Sequence, residues 1–256
     1  MSRSAALIAA HRGGAREVAE NSRAAFRHAI ALGADQVEFD VHRTADGGLA
    51  VLHDATLERT TTGTGPVAAL ELDEIRRLRL RDRPEETAPT FEEVLDLLAP
   101  AAIGLRVEIK AGVEFRRYAG IETAVVAALR ARGLLERSVI TSFLLPILEA
   151  AAAAGAPRLL WLVAPIVQAS LGSTARLTDL ARAAGVGELG LHIDRLDAAT
   201  VASVRAAGLE IGAWAAHEDA QIAKALELGL SVFTTDRPSA ALAGRRARLA
   251  GARDAR

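Results

Sequence analysis

Hydrophobic positions along the chain follow two alternating patterns, one typical of buried strands and the other of amphipathic helices. Short apolar runs are followed by stretches in which apolar residues recur every three or four positions, and a glycine ends most of these stretches. Taken in order, the pattern predicts eight strand–helix units with short connections. Eight such units most economically close on themselves, so we predict an α/β fold of the (β/α)8 TIM barrel type; an open doubly wound sheet is the alternative.

The predicted bounds follow from the apolar runs and from the polar or glycine residues that flank them. The strands are predicted at 7–10, in the first part of 36–54, and at 104–110, 138–143, 158–163, 188–193, 209–214 and 231–235. The helices are predicted from Asn21 or Ser22 to Gly33, at 91–98, 121–132, 146–154, 173–184, 197–207 and 218–228, and from Pro238 onward. We expect a loop between 163 and 173 and a frayed tail at 251–256.

Residues 55–89 interrupt this regular alternation. The segment contains a run rich in Thr and Gly, a short helical pattern around 70–80, and two prolines, Pro84 and Pro89. A segment this long between barrel elements is more often a functional insertion or cap than a plain connection. We therefore predict a single domain over residues 1–256, with a small insertion at about 55–89 after the second strand.

Composition and charge narrow the classes of partner. The chain has 256 residues, of which 50% are hydrophobic, and its formal net charge is -1. It can therefore bury one large core and has no electrostatic preference for nucleic acid or an anionic membrane. Cysteine is absent, which excludes disulfides and thiolate metal sites. The apolar run near the N-terminus is too short for a signal peptide and no run could span a bilayer, so we expect a cytoplasmic protein without a stable membrane anchor.

The second strand carries the first candidate chemistry. Glu38, Asp40 and His42 alternate with apolar residues, so in a strand they share one face. Carboxylates packed this closely repel each other and need a cation or a protonated partner. A Gly-Gly turn then returns the chain through a short apolar strand to a second imidazole, His53, which is followed by Asp54.

Further polar residues fall at the ends of other predicted strands, where the active site of such a barrel lies. Glu108 and Lys110 end the third barrel strand, and His11 and Arg12 follow the first. Three carboxylates on neighbouring strands form an all-oxygen site that suits Mg²⁺ or Ca²⁺. The alternative is a buried salt-bridge cluster with Arg12, Arg106 or Lys110.

Two imidazoles beside such a cation site favour phosphoester chemistry, in which cations hold the phosphoryl oxygens and the histidines move protons. His11 and His53 are the two candidates. His42 could support the site or be structural, and Trp214, at a strand end, could be core or an apolar wall for a ligand. His192 and His217 are left open between substrate-side and structural roles.

Several motifs resemble those of a known enzyme family. They are HRGG at His11, AENS at Glu20, VEFDVHRTADG from Val37, VLHDATLERTTTGTG from Val51 and VEIK ending at Lys110, with weaker matches at TSF (Thr141), AW (Trp214) and TTDRP (Asp236). In this order they resemble the glycerophosphodiester phosphodiesterases, a family in the superfamily of phosphatidylinositol phospholipase C-like barrels.

The resemblance implies a role for each matching residue. His11 and His53 would be the general acid and base, and the metal ligands for Mg²⁺ or Ca²⁺ would be Glu38, Asp40 and Glu108. The other implied positions are Arg12 and Lys110 on the phosphate, Phe143 and Trp214 in the alcohol pocket, and Glu20 in support of the site. Members of the family hydrolyse small-molecule glycerophosphodiesters to glycerol 3-phosphate and an alcohol.

Two alternatives to this activity stay open at the level of sequence. Hydrolysis of lysolipids in the manner of a lysophospholipase D would need an exposed apolar rim, and the insertion supplies only the short apolar run 66–70. A phosphate-binding barrel without catalysis would be marked by loss of His11 or His53, and both are present. The chain departs from the family pattern after Trp214, at the implied alcohol pocket, where Ala215, Ala216 and His217 stand for the usual Thr-Val-Asn.

Overall fold

A closed barrel of eight parallel strands forms the centre of the computed structural model, which describes residues 5–254 and, among them, the side chains of 5–251. The strands in chain order are β1 Leu7–His11, β2 Gln36–Arg43, β3 Leu49–Val51, β4 Arg79–Leu80, β5 Arg83–Thr87, β6 Gly104–Ile109, β7 Ser138–Ser142, β8 Leu159–Val163, β9 Glu188–His192, β10 Glu210–Trp214 and β11 Val232–Thr235. Strands β1, β2 and β6 to β11 are neighbours in this order, and β1 pairs with both β2 and β11. The predicted TIM barrel is therefore confirmed.

Helices surround the barrel and alternate with its strands. They are α1 Arg23–Leu32, α2 Leu72–Ile75, α3 Phe91–Leu98, α4 Ile121–Ala131, α5 Leu145–Ala153, α6 Pro165–Leu171, α7 Thr174–Ala183, α8 Ala198–Ala206, α9 Asp219–Glu227 and α10 Pro238–Asp254. Among the described residues, none of these helices combines the length and the apolar character that crossing a membrane requires.

The alternation of side chains along β2 separates the core from the site. Val37, Phe39 and Val41 are fully buried in the main hydrophobic core. Phe39 contacts Phe26 of α1 and Phe91 of α3, with ring centroids 5.5 and 6.1 Å apart. Since successive strand residues face opposite sides, the outward face of β2 packs against helices and its polar residues point into the barrel.

The ends of α1 show how local sequence sets an element boundary. Of the two predicted N-caps, Ser22 is the one used, because its side chain accepts a hydrogen bond from the Ala25 N–H. Gly33 closes the helix in the left-handed region, at a φ of 71°. Both ends of the helix are therefore confirmed as predicted.

Helix α6 and the hairpin of β4 and β5 were not predicted. Helix α6 occupies the stretch expected to be a loop: Pro165 stands in its first turn, and Ile166 and Val167 are exposed. An exposed apolar pair gives no amphipathic period, which is why the pattern missed this helix. The expected frayed tail is helical as far as Asp254, and the rest of that expectation lies outside the described residues.

The segment 55–89 builds a small second core beside the barrel. It contains α2 and the antiparallel hairpin of β4 and β5, and β3 runs antiparallel to β2 just before it. The second core consists of Ala50, Leu52, Leu57, Val67, Ile75, Leu80 and Ala88, all buried. Val67 and Leu70 pack into this cluster, so the apolar run of the insertion is directed largely inward.

Candidate active site

A cavity opens at the carboxyl ends of the barrel strands and gathers most of the predicted site. It comprises about 730 Å³, including its open mouth. The predicted site residues that line it are His11, Arg12, Glu38, His53, Glu108, Lys110, Phe143 and Trp214. Asp40 is fully buried next to these residues, and Glu20 lies behind Arg12. The barrel therefore brings together residues from opposite ends of the chain, such as His11 and Trp214.

Three buried carboxylates meet at one point of the cavity wall. Asp40 of β2 is in register with Glu108 of β6, and Glu38 precedes Asp40 on the same face of its strand. One carboxylate oxygen from each of the three residues lies within 4.8 Å of the others. The predicted acidic cluster is therefore present as a geometric unit.

The oxygen atoms of this cluster fit a hard divalent cation. Glu38 Oε1 and Asp40 Oδ1 are buried and have no hydrogen-bond partner within residues 5–251. Asp40 Oδ1 lies 3.1 Å from the Lys110 ammonium without accepting a hydrogen bond from it, and Glu38 Oε1 accepts none within the described residues; since buried polar atoms are nearly always paired, the cluster keeps oxygen atoms available for a cation. Carboxylate oxygens at this spacing are the donors that Mg²⁺ and Ca²⁺ take.

Two cationic side chains contact the acids without using all of their oxygens. Lys110 Nζ lies 2.7 Å from Glu108 Oε1 and 3.1 Å from Asp40 Oδ1, and Arg12 Nε lies 3.4 Å from Asp40 Oδ2. Burial alone would raise the pKa of Asp40, but Lys110 and Arg12 outweigh burial and hold that pKa below its ordinary value. Burial and the charge of Asp40 raise the pKa of Glu38 to about 8. Glu38 is thus the acid whose charge is least compensated.

Arg106 does not take part in this cluster, although the sequence offered it as a partner. Its guanidinium donates to both carboxylate oxygens of Glu188, at 2.9 and 3.0 Å, and to Gln36. All three side chains are buried inside the barrel. A salt bridge to Arg106 is therefore not what compensates the three acids.

The turn after β1 places Arg12 against Asp40. Gly13 has a φ of 82°, and a Cβ added there would lie 2.6 Å from Ala25 Cβ, so only glycine lets the turn approach α1 this closely. The Asn21 N–H donates to the Arg12 carbonyl at 3.0 Å, and Asn21 Nδ2 donates to Asp40 Oδ2 at 2.9 Å. Gly13 thus lets the turn after β1 pack directly against α1.

His11 is held by a carboxylate from the last barrel strand. Its Nδ1 lies 2.5 Å from Asp236 Oδ1, and its Nε2 lies 3.8 Å from Glu38 Oε2. Burial lowers the pKa of His11, but the hydrogen bond to Asp236 and the charge of Glu38 outweigh burial and raise it above its ordinary value. Since Nδ1 is occupied by Asp236, Nε2 is the atom left for chemistry.

His217, where the chain departs from the family pattern, stands next to His11. The two ring centroids are 5.6 Å apart, and His217 Nδ1 accepts a hydrogen bond from the Asp236 N–H at 3.0 Å. Burial lowers the pKa of His217 to about 4, so the ring is neutral and carries its proton on Nε2. Its position is on the cavity wall, which agrees with a substrate-side location.

His53 is supported by a chain of ion pairs that ends at Arg12. His53 Nδ1 donates to Asp54 Oδ1 at 2.6 Å, and Arg59 contacts both Asp54 and Glu20, at 2.6 and 2.7 Å. Glu20 in turn accepts from Arg12 at 3.1 Å. Burial lowers the pKa of His53. Glu20 therefore lies where a supporting residue is expected, one contact away from the acids.

His42 holds the backbone of His53 rather than contacting the cavity. Its Nε2 lies 3.1 Å from the His53 carbonyl, and its Nδ1 lies 2.8 Å from the Tyr118 hydroxyl. A carbonyl oxygen only accepts, so Nε2 carries the proton and Nδ1 accepts from Tyr118. Burial lowers the pKa of His42 to about 4, which agrees with a neutral ring. The structure thus favours a supporting position for His42.

Aromatic side chains form one wall of the cavity. Phe143 and Trp214 meet edge to face with ring centroids 5.5 Å apart, and His192 also meets Trp214 edge to face, with ring centroids 4.6 Å apart. Trp214 Nε1 is buried and has no hydrogen-bond partner in the described part of the chain. The wall presents apolar ring faces to the cavity, and the alcohol pocket that the resemblance implies stays a prediction.

Sequence reasoning assigned no role to four residues that contact the site: Asn21, Arg59, Tyr118 and Asp236. Asp236 was visible as a polar residue at a strand end, so position alone marked it as a candidate. The other three lie in a loop or at the start of a helix, where no periodic signal exists. Their contacts depend on distant segments and could not be inferred locally.

The chain was compared with known proteins. A family model described as the glycerophosphoryl diester phosphodiesterase family matches residues 11–240. A glycerophosphodiester phosphodiesterase from Caldanaerobacter subterraneus subsp. tengcongensis is 40% identical over 142 residues, which is 54% of this chain and 58% of that protein. The chain thus spans little more than half the length of this curated relative.

Solved structures match over nearly the whole chain. A protein from Agrobacterium tumefaciens, provisionally named a glycerophosphoryl diester phosphodiesterase, is 40% identical with a TM-score of 0.92, and the match covers 96% of this chain and 99% of that one. A phosphodiesterase from Oleispira antarctica, solved with sn-glycerol 3-phosphate, shares the fold at 24% identity and a TM-score of 0.78, covering 94% and 96%. By the extent of the family match, this chain belongs to the glycerophosphoryl diester phosphodiesterase family.

Proposed function

We propose that this protein is a metal-dependent phosphodiesterase that hydrolyses glycerophosphodiesters to glycerol 3-phosphate and an alcohol. The observation that carries the proposal is the convergence of three buried carboxylates, two cationic side chains and two imidazoles on one cavity. Membership of the family supports this reaction class. The product bound to the Oleispira phosphodiesterase is the one that this reaction would release.

The acidic cluster and its neighbours would bind the phosphodiester. Glu38, Asp40 and Glu108 would hold Mg²⁺ or Ca²⁺ through their carboxylate oxygens, since both ions prefer hard oxygen ligands. A cation bound there supplies positive charge to the phosphoryl oxygens, whose negative charge increases in the transition state. Arg12 and Lys110 would donate further hydrogen bonds to these oxygens. Their contacts with Asp40 hold the guanidinium and the ammonium group beside the acidic cluster.

The two histidines would share proton transfer. One imidazole removes a proton from the attacking hydroxyl, which belongs to water or to the glycerol of the substrate, and the other donates a proton to the alkoxide as its bond to phosphorus breaks. Attack by the glycerol hydroxyl first yields a cyclic phosphate, which water then opens. The pKa of His11 is raised and that of His53 is lowered, and opposite shifts of this kind characterise acid–base pairs.

A substrate panel with controlled metal content tests the proposal. Purified protein is treated with EDTA and assayed for glycerol 3-phosphate release from several glycerophosphodiesters, without metal and with Mg²⁺ or Ca²⁺. We expect no activity after EDTA and recovery with one of the two ions. Full activity in the presence of the chelator would contradict the metal assignment, and no release of glycerol 3-phosphate from any of these esters with either ion would contradict the substrate class.

A matched pair of variants separates metal binding from general stability. Glu38→Gln removes a charge from the cluster and should raise the Mg²⁺ concentration needed for half-maximal activity by roughly 10–100-fold, the range typical of weakened metal sites. Glu122 on α4 is also a buried acid, but its carboxylate pairs with Arg117, which precedes that helix. Glu122→Gln should therefore leave the metal requirement unchanged.

A further inference from the structure

Two histidines and an aspartate form a second group of ligand atoms beside the acidic cluster. His11, His217 and Asp236 lie at or after the carboxyl ends of the neighbouring strands β1, β10 and β11. One ligand atom from each of the three residues lies within 4.8 Å of the other two. We call this group the imidazole cluster, and it shares no residue with the three carboxylates of the acidic cluster.

Both imidazoles turn the same ring nitrogen towards one carboxylate. His11 Nδ1 lies 2.5 Å from Asp236 Oδ1, and His217 Nδ1 lies 3.2 Å from Asp236 Oδ2. The His217 nitrogen accepts a hydrogen bond from the Asp236 N–H, so it has no proton to donate to the carboxylate. Two atoms with lone pairs therefore face each other at 3.2 Å, an arrangement that a cation between them would stabilise.

A guanidinium approaches this carboxylate from the solvent side. Arg16 Nε lies 3.5 Å from Asp236 Oδ2, beyond the length of an ordinary hydrogen bond, and the Arg16 side chain is 47% exposed. The Arg16 Nη1 atom pairs with Glu218 instead, at 2.5 Å. Arg16 therefore compensates the charge of Asp236 only in part, and a metal ion can take its place without breaking a buried salt bridge.

The donors of the imidazole cluster differ in kind from those of the acidic cluster. Two imidazole nitrogens and one carboxylate oxygen suit zinc and related transition-metal ions, whereas three carboxylates suit Mg²⁺ or Ca²⁺. Neighbouring ligand atoms of a tetrahedral zinc ion are about 3.3 Å apart, so small movements of the three side chains would bring their atoms to that spacing. His217 stands where the family pattern usually has Asn, and the second imidazole is thus a feature of this chain.

We propose that the imidazole cluster is a second cation site, selective for zinc-type ions over Mg²⁺, and that an ion bound there stops proton transfer by His11. The ion takes the lone pair of His11 Nδ1, so the proton of the ring stays on Nε2, the atom left for chemistry. A ring fixed in this form no longer accepts a proton from the reacting groups. The effect on turnover rests on the proposed function, whereas binding of the ion does not depend on it.

Zinc binding by the wild-type protein and a variant tests the site directly. Purified protein is dialysed against rising Zn²⁺ in excess Mg²⁺, which keeps the acidic cluster filled, and the zinc bound per chain is measured. We expect one zinc ion per wild-type chain. His217→Asn should bind zinc at least about tenfold more weakly, because losing a ligand costs no less than losing a group that orients one. A melting curve checks that the variant is folded, and His217→Gln replaces it if it is not.

The control for this measurement is a histidine outside the cavity. His28 Nε2 pairs with a single carboxylate, that of Glu17, at 2.6 Å, so His28→Asn removes an imidazole without touching the cluster and should leave zinc binding unchanged. If the wild-type protein binds no zinc in excess Mg²⁺, or if the His217 variant binds it equally well, the second site is wrong.

Turnover of a glycerophosphodiester with Mg²⁺ tests the consequence for catalysis, each protein being compared with its own turnover without zinc. We expect saturating zinc to lower wild-type turnover by roughly 10²–10⁴-fold, the value of one proton transfer, and His217→Asn to need at least about tenfold more zinc for half of the inhibition. Further Mg²⁺ should not relieve the inhibition, and relief would place the zinc at the acidic cluster and overturn the proposal.

The remaining outcomes separate the cation site from the proposed function. Zinc that binds in the dialysis experiment without lowering turnover would show that His11 still transfers protons, which contradicts the second half of the proposal. If no glycerophosphodiester is cleaved with Mg²⁺ or Ca²⁺ in the absence of zinc, the proposed function fails, while the dialysis result still decides whether the cation site exists.

Discussion

The two candidate catalytic histidines lie in parts of the molecule that are built in different ways. His11 ends β1, and its ring is held by Asp236, which follows β11 and is 225 positions away in the chain. His53 lies beyond β3, outside the barrel strands, and its ring is held by the next residue, Asp54. The first support exists only because the barrel closes, whereas the second is local.

The second half of the site depends on the segment 55–89. Arg59, from this segment, joins Asp54 to Glu20, and the same segment supplies most of the small second core. A core of this size buries less apolar surface than the barrel, so we expect it to open locally at a lower free energy. The two candidate histidines are therefore supported by different structural units, and we expect the smaller unit to be the less stable.

The largest expected effect is loss of either imidazole. His11→Ala and His53→Ala should each reduce turnover by roughly 10²–10⁴-fold, because each removes one proton transfer. Turnover of a glycerophosphodiester is the measurement, with circular dichroism and a melting curve to show that the fold persists. A variant that keeps near-normal turnover would show that its half of the site is not catalytic.

Weakening the second core should disturb the His53 half alone. Leu57 is fully buried there, and Leu57→Ala should cost about 2–5 kcal/mol of local stability by creating a cavity. Hydrogen exchange should then accelerate in 52–90 while the barrel strands keep their protection. The matched control is Leu189→Ala in β9, because Leu189 is equally buried. This variant should accelerate hydrogen exchange throughout the barrel. If both variants accelerate exchange uniformly over the chain, the distinction between the two units is wrong.

The supporting carboxylates offer a finer comparison. Asp236→Asn should lower turnover by roughly 10–100-fold, as removal of a histidine-orienting carboxylate does elsewhere. Asp54→Asn should have a smaller effect, because the Asp54 side chain is 28% exposed against 13% for Asp236 and water can replace part of its hydrogen bonding. Turnover of the two variants at saturating substrate decides the order, and a larger loss for Asp54→Asn would reverse our interpretation of which support matters more.

The smallest expected effect concerns the contact that holds the His53 backbone. Tyr118→Phe removes one hydroxyl donor to His42 and should lower turnover by roughly 2–10-fold, the value of one hydrogen bond, without changing KM. In a His53→Ala background the same change should have no further effect, since the two residues act through one group. The control is Thr178→Val, which removes a buried hydroxyl on the outer helix α7 and should leave turnover unchanged. An additive loss of turnover in the variant with both Tyr118→Phe and His53→Ala would indicate a general structural role for Tyr118.

Much of the fold was predictable because strand and helix periods are local properties of the chain. The alternation along β2 depends only on successive backbone geometry, so it identified the face that carries Glu38 and Asp40 and the opposite face that packs against helices. Short motifs likewise marked His11, His53 and Lys110. Helix α6 escaped because its apolar residues are exposed and show no amphipathic period.

Which distant residues meet was decided by the tertiary structure. Strand order and register bring Asp236 to His11 and Glu188 to Arg106, and the loop after β6 brings Tyr118 to His42. The sequence by itself therefore determined the elements, their faces and the candidate chemistry. The tertiary structure determined which remote side chains meet, because contacts between remote segments have no signature in local periodicity.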